Sequence, residues 1–265
     1  MDINLRFRIF QFILGSYLCC HFMDQIIHNK FNETFGANMP YTKKMTPFPN
    51  FLDYDWEIEE YNLIHYIFTV LALIFSFDAI LPIFCHYGKS SNAFFLWFYW
   101  ISLLNRNILI ANPGIPYVGF LLMSYIFVPF LSIEGKKTLY KIILFFVGFG
   151  YMVSGLHKLQ CPSWIDGSAL YNVLSGPLAR DNIIRDTLFQ YPDLLKLATW
   201  GSLSFEILSL ILIASPYTRS FTTIMYIVFH LGILSVINFA DLTMGMLLVH
   251  ILTLEFTNDI RKKYE

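Results

Sequence analysis

Apolar residues gather into long runs in this chain, and the length of those runs constrains the fold more than any other feature. Crossing about 30 Å of hydrocarbon takes about 20 mostly apolar residues in a helix. About eight stretches come near that length: Leu5–Met23, Tyr61–Phe84, Ala93–Ala111, Gly114–Ser132, Thr138–Leu156, Leu194–Ser215, Phe221–Phe239 and the shorter Met244–Phe256. A backbone in lipid must satisfy its own hydrogen bonds, so such runs read as helices. The expected fold is all-α: one polytopic integral membrane helix bundle over residues 1–265, with about eight transmembrane helices and no soluble domain.

Composition agrees with that reading. Charged residues are 14% of the 265 and hydrophobic ones 56%. A soluble domain carries about 25% charged residues, so much of this surface does not face water. The formal net charge of -1 supplies no field for nucleic acid, which is excluded as a partner. Aromatics reach 18%, suiting a lipid-facing and interfacial surface, and the lipid bilayer is the first expected partner. Cys19, Cys20, Cys85 and Cys161 form no CxxC pair and no zinc spacing, so neither a disulfide framework nor a metal site is expected.

Arg6 and Arg8 before the first run resemble the start of a signal peptide. The run ends Leu18-Cys-Cys-His-Phe-Met-Asp24, with no small-x-small cleavage site, so it reads as an uncleaved helix. Lys89, Lys136, Lys137, Arg219, Arg261, Lys262 and Lys263 fall in the segments that share a side with Arg6. The turns at 112–113 and 240–243 hold no lysine or arginine. The positive-inside bias therefore puts both termini in the cytoplasm and the two long connections, about 24–60 and 157–193, outside. The first connection carries Asp53, Asp55, Glu57, Glu59 and Glu60, a solvated acidic rim. The second has Trp164, Leu170, Tyr171, Val173 and Leu174 in an amphipathic pattern suited to the membrane interface.

Ionisable residues inside a membrane are costly and usually face a cavity or the bundle interior. Here they are Asp78, Arg106, Lys158, Glu206 and His230. Thr199, Ser202, Glu206 and Ser209 recur at helical spacing and form one polar stripe. Glu206 is then either a proton carrier or substrate ligand, or a neutral or paired acid joining helices. His230 shares a face with Thr223 and Tyr226 and is either a satisfied core residue or a ligand. His230 and His250 each stand alone and give no haem signal. Arg106, between Asn105 and Asn107, either snorkels to the interface or anchors a partner in an outer cavity. Lys158 shares a face with Tyr151 and Ser154 at the outer end of the fifth run. It either snorkels or, in a partly dry pocket walled by Trp164 and Asp166, loses its charge and acts as a base.

These residues carry a resemblance. The order Arg106-Asn107, Asn112-x-Gly114, Ser154-Gly155-x-x-Lys158-Leu159, Trp164-x-x-Gly167, Glu206 and Phe229-His230 resembles the HTTM domain, from roughly Arg8 to Leu254. That membrane domain is shared with vitamin K-dependent gamma-carboxylases. The resemblance implies that Lys158 matches the lysine taken there as the base that deprotonates a reduced quinone. Arg106, Asn107, Trp164, Asp166, Glu206 and His230 are the expected supporting residues. Two features depart from the carboxylases: Asn112-Pro-Gly-Ile-Pro116 holds no histidine, and the chain reaches Glu265 without their large peptide-holding domain. The stand-alone form is more similar to the sporulation-delaying protein B branch.

The expected function follows from that similarity. It is maturation or export of a secreted peptide at the bacterial inner or plasma membrane, with other membrane maturation proteins, through an outward-facing site near Lys158. The alternatives are an enzyme of the gamma-carboxylase type using a quinol and CO2, with reduced quinone as cofactor, and a transporter or scaffold without catalysis. The last would make Glu206 and His230, rather than Lys158, the essential residues.

Overall fold

The computed structural model describes residues 2–27, 58–80, 88–106, 114–238 and 240–254. It is all-helical, 87% helix without strands among the described residues. An isolated bridge pairs Ala179 with Ile237. The chain forms two compact units that divide between Lys136 and Lys137.

The amino-terminal unit contains α1 (Ile3–Ile27), α2 (Ile58–Ile80), α3 (Gly88–Arg106) and α4 (Gly114–Phe127), the last continued by a 3-10 turn over Val128–Phe130. Helix α1 packs along α2, and α3 packs on both α2 and α4. Aromatic rings fill its centre: Tyr99 is fully buried, with its ring near those of Phe22, His65, Phe68 and Phe95. The Tyr99 hydroxyl lies 2.5 Å from Thr69 Oγ1, which satisfies it inside an apolar setting. Trp100 Nε1 donates to the Ile115 carbonyl at 2.9 Å and ties α3 to α4. Asp78, buried at the end of α2, accepts from Asn92 Nδ2 at 2.6 Å.

The carboxy-terminal unit holds most of α5 (Ile133–Lys158), then α6 (Pro162–Ile165), α7 (Ala169–Leu174), α8 (Ile183–Phe189), α9 (Pro192–Ala214), α10 (Arg219–Val236) and α11 (Ala240–Thr253). Helix α5 begins five residues before the expected Thr138. Ser132 is the reason: its hydroxyl accepts the Gly135 N–H at 3.2 Å, and Glu134 sits in the first turn where the helix dipole favours an acid. Helices α9 and α10 pack together, and α10 packs on α11.

The connection between α5 and α9 is three short helices, folded against α9 and α10. Leu174, Leu195 and Val236 form its buried core, joined by Leu170, Leu188, Phe189 and Ile237. Trp200 Nε1 donates to the Ile165 carbonyl at 2.9 Å, and the Leu170 N–H donates to Thr199 Oγ1 at 3.3 Å. The end of α10 is covered by the same connection. Arg180 donates to the Val236 and Ile237 carbonyls, and Asn182 Nδ2 donates to that of Ser235 at 2.7 Å. These are carbonyls a helix end would otherwise leave open.

Among the described residues, three helices are long and apolar enough to cross a membrane: α5, α9 and α10. The apolar helical stretches Asn62–Asp78, Gly114–Phe130 and Thr243–Thr253 are shorter. Helices α1 and α3 have the length but carry more polar residues, Arg6, Arg8, Gln11 and Asp24 in one and Lys89, Asn92 and Arg106 in the other. Large apolar side chains are exposed along the three spans, among them Phe145, Leu208, Ile211, Phe221 and Val228. On a helix that crosses a bilayer, such side chains meet lipid rather than water.

Candidate functional site

Lys158 is the last residue of α5, where a cation meets the negative end of the helix dipole. Its Nζ donates to Glu206 Oε1 of α9 at 2.5 Å. The same Nζ stands 4.3 Å from the centre of the Trp164 ring, a cation–π contact from α6. The lysine side chain keeps 23% of its surface open, whereas the glutamate keeps 5%. The pair is therefore entered from the lysine side.

A glycine one turn before the lysine makes this contact possible. A β-carbon at Gly155 would stand 2.9 Å from the Ile207 backbone nitrogen and 3.1 Å from Glu206 Cβ. One at Gly148, two turns earlier on the same face, would stand 3.0 Å from Leu210 Cα. The two glycines let the backbones of α5 and α9 approach closely, as small residues do between membrane helices. Ser209 closes the same seam by donating to the Gly148 carbonyl at 2.6 Å.

The polar stripe on α9 resolves into two kinds of residue. Thr199 Oγ donates to the Leu195 carbonyl at 2.9 Å, Ser202 to that of Thr199 at 3.0 Å, and Ser209 to α5. Those hydroxyls are consumed in joining backbone. Glu206 differs, because Oε1 takes the lysine and Oε2 is buried with no hydrogen-bond partner. A buried acceptor left open costs about 1–3 kcal/mol and marks a place that a proton or a ligand donor would fill.

Behind this pair, the buried Tyr151 of α5 meets two histidines. Its hydroxyl lies 2.6 Å from His230 Nε2 on α10 and 2.7 Å from His250 Nε2 on α11. Tyr151 stacks on Tyr226 at 3.9 Å between ring centres, and Tyr226 stacks on His250 at 5.1 Å. His230 is buried and His250 fully so.

Asp166 lies apart from the pair's interior. It is exposed in the turn after α6, where it accepts the Ser168 N–H at 2.8 Å. Hydrogen bonds from Ser168, from its side chain first and its backbone second, hold the Asp166 carboxyl below its ordinary value. The next residue, Gly167, has φ 87°. Arg106 closes α3 in the other unit. Its side chain, Asn107, Asn112, the acidic residues Asp53, Asp55 and Glu57, and the side chains of Glu59, Glu60 and Asp241 lie outside the described residues.

Among the sequence-derived candidates, Lys158, Glu206 and Trp164 therefore meet directly, whereas His230 meets Tyr151. The sequence reading assigns no role to Tyr151 as a hub or to His250. One signal for His250 was present: it and His230 lie ten positions either side of Ala240, the start of α11. An antiparallel helix pair with a short turn brings such positions level. Among the described residues, no group of three or more His, Cys, Asp or Glu side chains is placed to hold a metal ion.

No protein-family model, no curated protein and no solved structure matches this chain.

Proposed function

We propose that this chain is an HTTM-type protein of the bacterial inner or plasma membrane that serves maturation or export of a secreted peptide. In this reading its eight longer helices all cross the bilayer, both ends are cytoplasmic, and Lys158 faces outward. The observation that carries the site is the Lys158–Glu206 pair, 2.5 Å apart, with the carboxylate buried and the lysine reachable. A direct Nζ–H···Oε1 hydrogen bond is a path for one proton between the two groups. Lys158 can then donate to, or accept from, a group that approaches its open side, with Glu206 restoring its state. Trp164 supports the ammonium and screens it from water on one side.

The test is mass spectrometry of a co-expressed secreted peptide, with wild-type protein, Lys158→Ala and Lys158→Arg at matched membrane abundance. Loss of the mature peptide in both variants is expected, because arginine keeps the charge but does not give up its proton. Normal maturation by an abundant Lys158→Ala protein would sink the site.

The same proton path favours one second reading, an enzyme of the gamma-carboxylase type in which Lys158 deprotonates a quinol. Purified protein with reduced quinone, a candidate peptide and labelled bicarbonate separates the two. Label in the peptide selects carboxylation, and mature but unlabelled peptide selects the first reading.

A further inference from the structure

Tyr151 has one hydroxyl proton and two imidazole nitrogens within hydrogen-bond distance, His230 Nε2 at 2.6 Å and His250 Nε2 at 2.7 Å. A relay through that hydroxyl needs one particular pair of histidine tautomers. The phenol donates to one Nε2, which carries a lone pair, so that imidazole holds its proton on Nδ1. The phenol accepts from the other Nε2–H, so that imidazole has a bare Nδ1. In that arrangement the two buried histidines are opposite tautomers. Both Nδ1 atoms are buried without a hydrogen-bond partner, one as an open donor and the other as an open acceptor. Open buried polar atoms of this kind are costly where apolar packing would not be.

We propose that His230, Tyr151 and His250 form a proton relay inside the carboxy-terminal unit, with the two imidazole Nδ1 atoms as its entrance and exit. A proton arriving on the bare Nδ1 makes that ring an imidazolium. The ring passes its Nε2 proton to the Tyr151 oxygen, and the phenol passes its own proton to the second Nε2. The second ring then releases its Nδ1 proton. One proton has entered and one has left, and no bond between heavy atoms has changed. The two rings have exchanged tautomers, and the chain is ready for transfer in the reverse direction. Stacking of Tyr151 on Tyr226, and of Tyr226 on His250, keeps the rings in register while the protons move. The relay stands whether or not the peptide reading holds.

The test uses whole protein in lipid bilayers, labelled with nitrogen-15 at histidine and read by solid-state NMR. His230→Gln and His250→Gln assign the two signals among the 7 histidines. The expected result is complementary tautomers that interconvert at one shared rate, slower in deuterium oxide. Tyr151→Phe keeps the ring stack and should abolish the shared exchange. Tyr226→Phe loses the hydroxyl that donates to the Phe205 carbonyl and should leave the exchange intact, which controls for packing. The same fixed tautomer at both rings, complementary tautomers with no exchange, or exchange that survives Tyr151→Phe would each overturn the relay.

Discussion

Lys158 Nζ and Glu206 Oε1 stand 2.5 Å apart, and the two members of the pair are not equally buried: 23% of the lysine side chain is open against 5% of the glutamate. That asymmetry predicts unequal costs. In Lys158→Met the carboxylate stays behind in a dry seam. Orphaning a buried charge costs about 3–5 kcal/mol, and the lower end applies because the lost partner is partly solvated. In Glu206→Leu the lysine can swing toward water and keeps its contact with Trp164, so the loss should be about 1 kcal/mol or less, as for an exposed pair. The double variant should return close to wild-type stability while losing function. Unfolding of all four proteins in one detergent measures this, and equal, additive losses would contradict it.

The glycines of α5 and α9 make a matched set of opposite predictions. Gly155→Ala pushes a methyl group against the Ile207 nitrogen at 2.9 Å and against Glu206 Cβ at 3.1 Å. Overpacking of this kind costs about 1–3 kcal/mol, and here it also moves Glu206 off the lysine. A β-carbon at Gly201, on α9, meets nothing within 4 Å. Gly201→Ala should stabilise by up to about 1 kcal/mol through helix propensity alone. Thermal unfolding of the two variants should shift in opposite directions.

Gly167 holds the connection between α5 and α9 against α9. Its φ of 87° lies where a side chain is strained, and a β-carbon there would clash with Lys196 Cγ. Gly167→Ala should loosen the turn that carries Trp164 and Asp166, with a backbone cost of about 1–2 kcal/mol. Limited proteolysis should cut faster between Leu159 and Tyr191 in the variant, while the long helices stay resistant. An unchanged cleavage pattern would show that the turn does not depend on this conformation.

What was legible in the chain divides along physical lines. Hydropathy is a property of local composition, so the apolar runs fell where helices are: Leu5–Met23 within α1, Thr138–Leu156 within α5 and Leu194–Ser215 along α9. The contact between Lys158 and Trp164 spans six residues and was within reach of local reasoning. The partner of Lys158 was not, since it lies 48 residues on, and only the close approach at Gly148 and Gly155 selects it. Tyr151 and His250 are 99 residues apart, and their meeting depends on how α5 lies against α11. Helix α10 also stops at Val236, short of the expected Phe239, because Ala179 pairs with Ile237. No hydropathy pattern records that pairing. The short helices α6, α7 and α8 are set by turn chemistry and by docking on α9, which an amphipathic reading compressed into one interfacial segment.

Asp166 gives the turn after α6 a dependence on acid. Hydrogen bonds from Ser168 lower the carboxyl below its ordinary value, so the folded turn favours the ionised form more than the unfolded chain does. For a depressed acid, the stabilisation is present above the unfolded value and is lost as pH falls through the folded one. The turn should therefore hold above about pH 4 and loosen progressively in stronger acid. Amide exchange at Ser168, whose N–H donates to Asp166 at 2.8 Å, is the local reporter. After correction for intrinsic rates, its protection should fall on acidification in the wild type. In Asp166→Asn protection should be lower throughout and independent of pH in that window. An acid-insensitive Ser168 amide in the wild type would remove Asp166 as the cause.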